Sequence, residues 1–168
     1  MLIVLGGLPG TGKTTISRLL VQKRPATYLR VDAIEHAIIK SKGHRDVGSS
    51  GYMVAYELAK SNLSLGIPVI ADCVNPLEVT RQAWRELSKS VATSLIEVEV
   101  VCSDLVEHER RVTSRKADID GFTLPTWEQV VTREYEPWQS SQLVIDTTST
   151  TADEAAALIL ERWSKLSS

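Results

Sequence analysis

A glycine-rich loop near the start of the chain has the spacing of a phosphate-binding site. Residues 7 to 14 read Gly-Leu-Pro-Gly-Thr-Gly-Lys-Thr, which fits the pattern G-x-x-x-x-G-K-[ST] in full. Glycines at this spacing let successive backbone N–H groups face inward and surround an anion. We expect a nucleoside triphosphate here, with Lys13 on the β- and γ-phosphates and the Thr14 hydroxyl on Mg²⁺. The residues expected to contact the nucleotide are Gly7, Pro9, Gly10, Thr11, Gly12, Lys13, Thr14 and Thr15.

Such a loop needs a strand before it and a helix after it, and the sequence predicts both. Leu2 to Leu5 is an apolar run of β-forming residues. From Lys13 to Lys23, Ile16, Leu19 and Leu20 share one helical stripe. The context therefore favours a nucleotide site over a glycine turn without a ligand.

The remaining pattern predicts an α/β domain with a parallel sheet covered on both faces. A chain of 168 residues fits a single domain over residues 1–168. Helix-capping signals stand at Asn75, Thr126 and Thr151, each with an acid or amide three residues later. Residues 43–51 are expected to form a flexible loop. Strands are expected at about 2–6, 27–31, 67–71, 95–101 and 142–146, and helices at about 13–23, 33–41, 50–65, 76–90, 104–115, 126–137 and 151–165.

Two aspartates close predicted strands, at the sheet edge where ligands bind in such folds. Asp32 suits a general base that accepts the proton of an attacking hydroxyl, or it caps the following helix. Asp72 has the position of the acid that holds Mg²⁺ in phosphate-loop proteins, or it is a turn residue. Cys73 follows, where hydrolysing ATPases commonly carry a glutamate, which favours transfer over hydrolysis. No N-K-x-D motif signals GTP.

An arginine-rich stretch is interpreted as part of a lid at about residues 110–125. Arg110, Arg111 and Arg115 lie on a predicted helix, with Arg111 and Arg115 one turn apart. An arginine brought onto the transferred phosphate accelerates such reactions by about 10³ to 10⁵. Arg111 and Arg115 are the catalytic candidates, although the spacing alone does not decide between the arginines, and a solvated helix face is the alternative.

Composition limits the partners and the location. The formal net charge of −2 gives no global attraction to nucleic acid or to an anionic membrane. No segment is long enough to span a bilayer, and the chain starts without a signal-peptide pattern, so a cytoplasmic protein is expected. Cys73 and Cys102 are expected to be buried apolar residues, and no histidine spacing indicates zinc.

The chain resembles the small bacterial P-loop kinase-like ATPases, a group that includes chloramphenicol phosphotransferase, zeta toxin and polynucleotide 5′-kinases. The resemblance implies a five-stranded parallel sheet of order 2-3-1-4-5, Mg-ATP as the phosphoryl donor and Asp32 as the catalytic aspartate. The segments that carry it are the phosphate loop, Val31-Asp32, Val69-Ile70-Ala71-Asp72 with Asn75-Pro76 and Arg81, the helix after Cys102-Ser103-Asp104, and Val144-Ile145-Asp146-Thr147.

One difference from polynucleotide kinases bears on the acceptor. Their helix after the aspartate carries an arginine that holds the acceptor phosphate, whereas this chain has Glu35, which repels a phosphate. A small molecule with a hydroxyl group, neutral and similar to an antibiotic, sugar or nucleoside, is therefore expected. A polynucleotide 5′-hydroxyl kinase and a nucleotide-binding module without transfer are the alternatives. Asp32, Glu35, His36 and Arg81 are expected to face the acceptor.

Overall fold

The computed structural model describes residues 1–42, 48–139 and 143–167, in which strands and helices alternate along the chain. In none of these residues is there a helix both long and apolar enough to cross a bilayer. The strands are β1 (Leu2–Gly6), β2 (Thr27–Arg30), β3 (Val69–Asp72), β4 (Leu95–Val101) and β5 (Leu143–Asp146). The helices are α1 (Lys13–Lys23), α2 (Val31–Lys42), α3 (Ser50–Ser64), α4 (Glu78–Ser90), α5 (Leu105–Ser114), α6 (Trp127–Val131) and α7 (Ala152–Ser167).

The five strands form one parallel sheet in the order β2-β3-β1-β4-β5, which confirms the expected topology. The register places Leu5 of β1 and Arg30 of β2 on either side of Asp72. Because parallel strands end at the same sheet edge, the start of the phosphate loop, Asp72 and Arg30 lie side by side.

The sheet is buried on both faces, as the apolar strand sequences predict. Ile3 and Leu5 of β1 pack with Ile16 of α1 and Trp163 of α7 on one face. Leu2 and Val4 pack with residues of α3 and α4, including Trp84, on the other. Cys73 and Cys102 are buried free thiols, as expected. The core thus holds β1 rigidly under the phosphate loop.

Two helix boundaries differ from the expectation. Asn75 does not cap α4, because its φ of 52° is left-handed and the helix begins three residues later. Helix α6 ends at Val131 instead of about residue 137, which agrees with the reluctance of a residue before proline, here Glu136, to be helical. The capping boxes at Thr126 and Thr151 are confirmed. Of the expected flexible loop at 43–51, residues 43–47 lie outside the described residues, and Gly51 belongs to α3.

Candidate active site

The phosphate loop leaves backbone N–H groups for an anion at the start of α1. Gly12 is the N-cap residue, with a φ of 100°, and no side chain caps the helix or places an acid in its first turn. The first N–H groups of a helix have no partner within it, so they are available to a ligand. Gly10 has a φ of 88°, and a Cβ there would lie 2.6 Å from the Val112 side chain. Glycine is therefore needed where α5 packs on the loop.

The Lys13 side chain is buried within this loop, where its ammonium donates a hydrogen bond to the Leu8 carbonyl at 2.9 Å. Burial lowers the pKa of Lys13, while the negative charges of Asp72 and Asp32 act in the opposite direction. Both carboxylates are thus close enough to Lys13 to influence its charge. The predicted catalytic base and the predicted phosphate ligand lie in one electrostatic environment.

Thr14 and Asp72 are in contact beside the loop, as a magnesium site would require. The Thr14 hydroxyl donates to Asp72 Oδ2 at 2.7 Å, and the Tyr28 hydroxyl donates to the same oxygen at 2.8 Å. Burial, with the charge of Asp72, raises the pKa of Tyr28, so this phenol keeps its proton. A hydroxyl and a carboxylate side by side are the hard oxygen ligands that Mg²⁺ prefers, so the residues fit that ion.

A cavity of about 1180 Å³ opens in front of the loop. Its volume exceeds that of an ordinary small-molecule site, so it has room for a nucleotide together with a second substrate. The predicted site residues that line it are Pro9, Gly10, Gly12, Lys13, Thr14, Thr15, Asp32, Glu35, Asp72, Arg111 and Arg115.

Asp32 and Glu35 form an acidic wall on the first turn of α2. Asp32 is inside the helix and not at its cap, and Oδ2 lies 3.9 Å from an Arg30 guanidinium nitrogen. Burial, together with the charge of Asp32, raises the pKa of Glu35 to about 7. Glu35 also packs on Gly51, where a Cβ would lie 2.2 Å from its Cγ. Glu35 therefore carries its proton for part of the time near neutral pH.

The structure distinguishes the lid arginines. Arg110 pairs with Glu107, at 2.6 Å, on the exposed side of α5. Arg111 donates to the Thr147 hydroxyl at 2.8 Å and so holds the loop after β5. Arg115 lines the cavity with a buried Nε that has no hydrogen-bond partner among the described residues, and burial lowers its pKa. Arg115 is thus the best placed of the three to meet a ligand anion.

Sequence reasoning missed a cluster of charged side chains that lines the cavity. Asp118 of the lid accepts hydrogen bonds from Arg18 of α1 and from Arg30 at the end of β2, the latter at 2.7 Å. All three side chains line the cavity. The only sequence signal was the position of Arg30 at a strand end, two residues before Asp32. We name Arg18, Arg30 and Asp118 the arginine–aspartate cluster.

The expectation that Arg81 faces the acceptor is wrong, because its side chain is 0% exposed. Its guanidinium donates to backbone carbonyls of Asn75, Pro76, Glu136 and Pro137. Arg81 therefore holds the segment after α6 against the turn after β3, and its charge is satisfied inside the fold.

Gly7, Thr11 and His36 do not line the cavity, and their contacts with ligands stay predictions. The Gly7 amide donates to the Val74 carbonyl at 3.0 Å, and the Thr11 hydroxyl donates to Leu8 at 2.9 Å. His36 instead packs edge-on against Phe122 of the lid, with ring centroids 5.8 Å apart. These residues shape the loop and support the lid.

Comparisons with known proteins agree with this geometry. No curated protein matches the chain. A provisionally assigned kinase from Chloroflexus aurantiacus is 22% identical, with a TM-score of 0.76 over 98% of this chain and 96% of that one. The APS kinase CysC of Mycobacterium tuberculosis, solved with AMPPNP and APS, is 16% identical, with a TM-score of 0.71 over 97% and 96%.

Kti12 of Chaetomium thermophilum, solved with ADP-AlF3, is 22% identical, with a TM-score of 0.71 over 99% of both chains. At these identities the likeness shows a shared fold. A family model described as an AAA domain matches residues 2–137, which is most of the chain. The protein therefore belongs to the AAA domain family and shares the fold of these P-loop proteins.

Proposed function

We propose that this protein transfers the γ-phosphoryl group of Mg-ATP to a hydroxyl group of a small molecule. The observation that carries the proposal is the placement of Asp32 in the same cavity as Lys13 and the Thr14–Asp72 pair. A protein that only bound a nucleotide would have no need for a carboxylate facing the phosphate end across a space this large. Two neighbours of the same fold, a provisionally assigned kinase and an APS kinase, support a phosphotransferase.

In the proposed reaction the acceptor oxygen forms a bond to the γ-phosphorus, and the bond from that phosphorus to the β,γ-bridging oxygen breaks. Asp32 accepts the hydroxyl proton as the new bond forms and later releases it to solvent. Lys13 and Arg115 stabilise the charge on the phosphoryl oxygens, and Arg111 fixes the loop that borders them. The products are ADP and a phosphate ester.

Thr14 and Asp72 would hold Mg²⁺, which supplies charge neutralisation on the phosphates when bound. Tyr28 positions the carboxylate for this task through its hydrogen bond to Oδ2. Because Tyr28 keeps its proton, it remains a donor over the whole physiological pH range.

Cys73 supports transfer over hydrolysis. It follows Asp72 directly, is buried, and donates weakly to the Leu5 carbonyl at 3.8 Å. Burial raises the pKa of this thiol, so it stays neutral and does not activate water. The site therefore has no group at this position to polarise water, which supports an acceptor hydroxyl placed beside Asp32 as the nucleophile.

The proposal is tested by incubating the protein and Mg-ATP with a panel of hydroxyl compounds and searching for phosphorylated product by mass spectrometry. The panel includes sugars, sugar acids, nucleosides, polyol phosphates and a 5′-hydroxyl oligonucleotide. A phosphorylated small molecule supports the proposal. Phosphorylation of the oligonucleotide alone would identify a polynucleotide kinase, and tight Mg-ATP binding with no product would identify a binding module.

A further inference from the structure

We propose that Arg18 and Arg30 form an anion-binding subsite for the phosphoryl acceptor, and that Asp118 of the lid occupies it until an acceptor phosphate or carboxylate displaces this side chain. The inference rests on the proposed phosphotransferase function and names its substrate class, a hydroxyl compound that also carries an anionic group.

Three separate elements bring the arginine–aspartate cluster together. Arg18 comes from α1, Arg30 from the end of the edge strand β2, and Asp118 from the segment after α5. The Arg30 side chain is 12% exposed, whereas those of Arg18 and Asp118 are 52% and 38% exposed. The more buried guanidinium, that of Arg30, is thus fixed by the fold. The carboxylate that neutralises it, that of Asp118, belongs to a segment without helix or strand.

The cluster has more positive charge than Asp118 can balance. Asp118 accepts hydrogen bonds from two guanidinium groups, and a third, that of Arg115, interacts electrostatically with Asp32, Arg30 and Asp118. Asp32, 3.9 Å from Arg30, is the other carboxylate nearby, so three guanidinium groups face two carboxylates. The Nε atoms of Arg30 and Arg115 are buried and have no hydrogen-bond partner among the described residues. A phosphate dianion or a carboxylate would make charge-assisted, bidentate hydrogen bonds to such a pair of guanidinium groups.

The position of the cluster assigns the anion to the acceptor and not to ATP. Strand β3 separates β2 from β1, and β1 is the strand that leads into the phosphate loop. Arg30 lies 3.9 Å from Asp32, the proposed base. A molecule held by Arg30 would therefore present its hydroxyl to Asp32 while Lys13 holds the donor phosphates.

Asp118 has the properties expected of a side chain that a ligand anion can displace from Arg18 and Arg30. The exposed pair of Arg18 and Asp118 contributes little to stability, and a ligand anion that replaces Asp118 would keep the more buried Arg30 paired. Glu35 lines the same cavity and is expected to repel an anion, but Arg18 and Arg30 also line it and offer two positive charges to one. The acceptor is accordingly anionic, which differs from the neutral acceptor inferred from Glu35 alone.

The binding test uses inorganic phosphate as the probe and thermal unfolding as the measurement. The protein is saturated with Mg-AMPPNP, so the phosphate loop is filled, and ionic strength is held constant with sodium chloride. We expect Arg18→Gln to require roughly tenfold more phosphate than wild type for the same shift, and Asp118→Asn to require roughly three- to tenfold less.

Arg110→Gln and Asp120→Asn are the matched controls, because both residues are exposed and neither lines the cavity. They should respond like wild type. A wild-type response of Arg18→Gln would overturn the subsite. An unchanged or weaker phosphate response of Asp118→Asn would overturn the displacement, since Asp118 would then be only a lid contact.

A turnover test separates this inference from the proposed function. Glycerol is compared with glycerol 3-phosphate, and glucose with gluconate and glucose 6-phosphate. We expect kcat/KM to be at least tenfold higher for the anionic members, and Arg18→Gln to reduce that preference through KM with kcat retained. Preferred phosphorylation of neutral compounds would overturn the inference and leave the kinase function standing. The phosphate-binding pattern without any phosphorylation would support the subsite and contradict the kinase function.

Discussion

The phosphate end of the cavity is made from one continuous stretch of chain, whereas the acceptor end is assembled from three segments far apart in the sequence. The phosphate loop leads from β1, a strand that is fully buried, into α1, and it presents backbone groups to the cavity. Arg18 and Asp118, 100 residues apart, meet through partly exposed side chains. Backbone groups held by a buried sheet suit one phosphoryl donor. Side chains on a helix, an edge strand and a lid can change without altering that backbone, so they allow the acceptor to differ.

The largest expected effect is that of changing Asp32, which lies at the acceptor end of the cavity. Asp32→Asn keeps a similar size and hydrogen-bonding capacity but cannot accept the hydroxyl proton. We expect turnover to fall by roughly 10² to 10⁴, the usual range for loss of a general base. Mg-ATP affinity and the melting temperature should change little, because asparagine keeps the size of Asp32 and leaves the phosphate loop unchanged. Turnover close to wild type would show that Asp32 is not the base.

Lys13→Ala removes the positive charge at the phosphate end of the cavity. We expect phosphoryl transfer to fall by about 10² to 10³ and calorimetric affinity for Mg-ATP to weaken clearly, because one preorganised positive charge is lost. The fold should stay intact, with a modest change in melting temperature, because removal of a buried charge offsets loss of the hydrogen bond to Leu8. Lys23→Ala, at the far end of the same helix, is the control. Equal Mg-ATP affinity in the Lys13 variant and wild type would mean that the loop does not bind phosphates.

Asp118→Asn should loosen the lid without altering the phosphate loop. In the nucleotide-free protein we expect backbone amides of residues 116–121 to exchange about fivefold faster, as expected for losing an ion pair of roughly 1 kcal/mol. Hydrogen exchange by mass spectrometry measures this, with Asp120→Asn as the neighbouring control. Unchanged exchange in this segment would show that Asp118 does not hold the lid.

Glu35 gives an expected effect on stability and not on turnover, and this effect depends on pH. Its pKa is raised from 4.5 to about 7 in the folded protein, so folding favours the protonated carboxyl. The associated stability is present below about pH 4.5 and is lost as pH rises through about 7. Glu35→Gln should therefore be more stable than wild type at pH 8 by about 1 to 3 kcal/mol.

That difference should disappear as the pH falls to about 4.5. Denaturant unfolding at several pH values measures it, and Glu57→Gln on the exposed face of α3 is the control. A pH-independent difference between Glu35→Gln and wild type would mean that the carboxyl titrates normally in the folded state.

Sequence alone predicted the parts of the site that depend on local pattern. The loop, the strand before it and the helix after it follow from glycine spacing and apolar periodicity, and Asp72 follows from its place at a strand end. In the sequence, Arg18 and Asp118 each resemble an ordinary solvated charge. They form a pair only in the folded protein, where the expected lid segment brings Asp118 to Arg18. Arg81 was misread for the opposite reason. In the sequence its charge looked available to a ligand, whereas in the structure its guanidinium donates hydrogen bonds to four backbone carbonyls.

The most direct test of the central claim is the rate of ADP release from Mg-ATP with and without an acceptor. The proposed site predicts slow release by the protein alone, because neutral Cys73 does not activate water. Release should rise at least tenfold with glycerol 3-phosphate, gluconate or another hydroxyl compound that fits, and one phosphate ester should form for each ADP. Rapid ADP release that no acceptor accelerates, with inorganic phosphate as the only other product, would contradict the account.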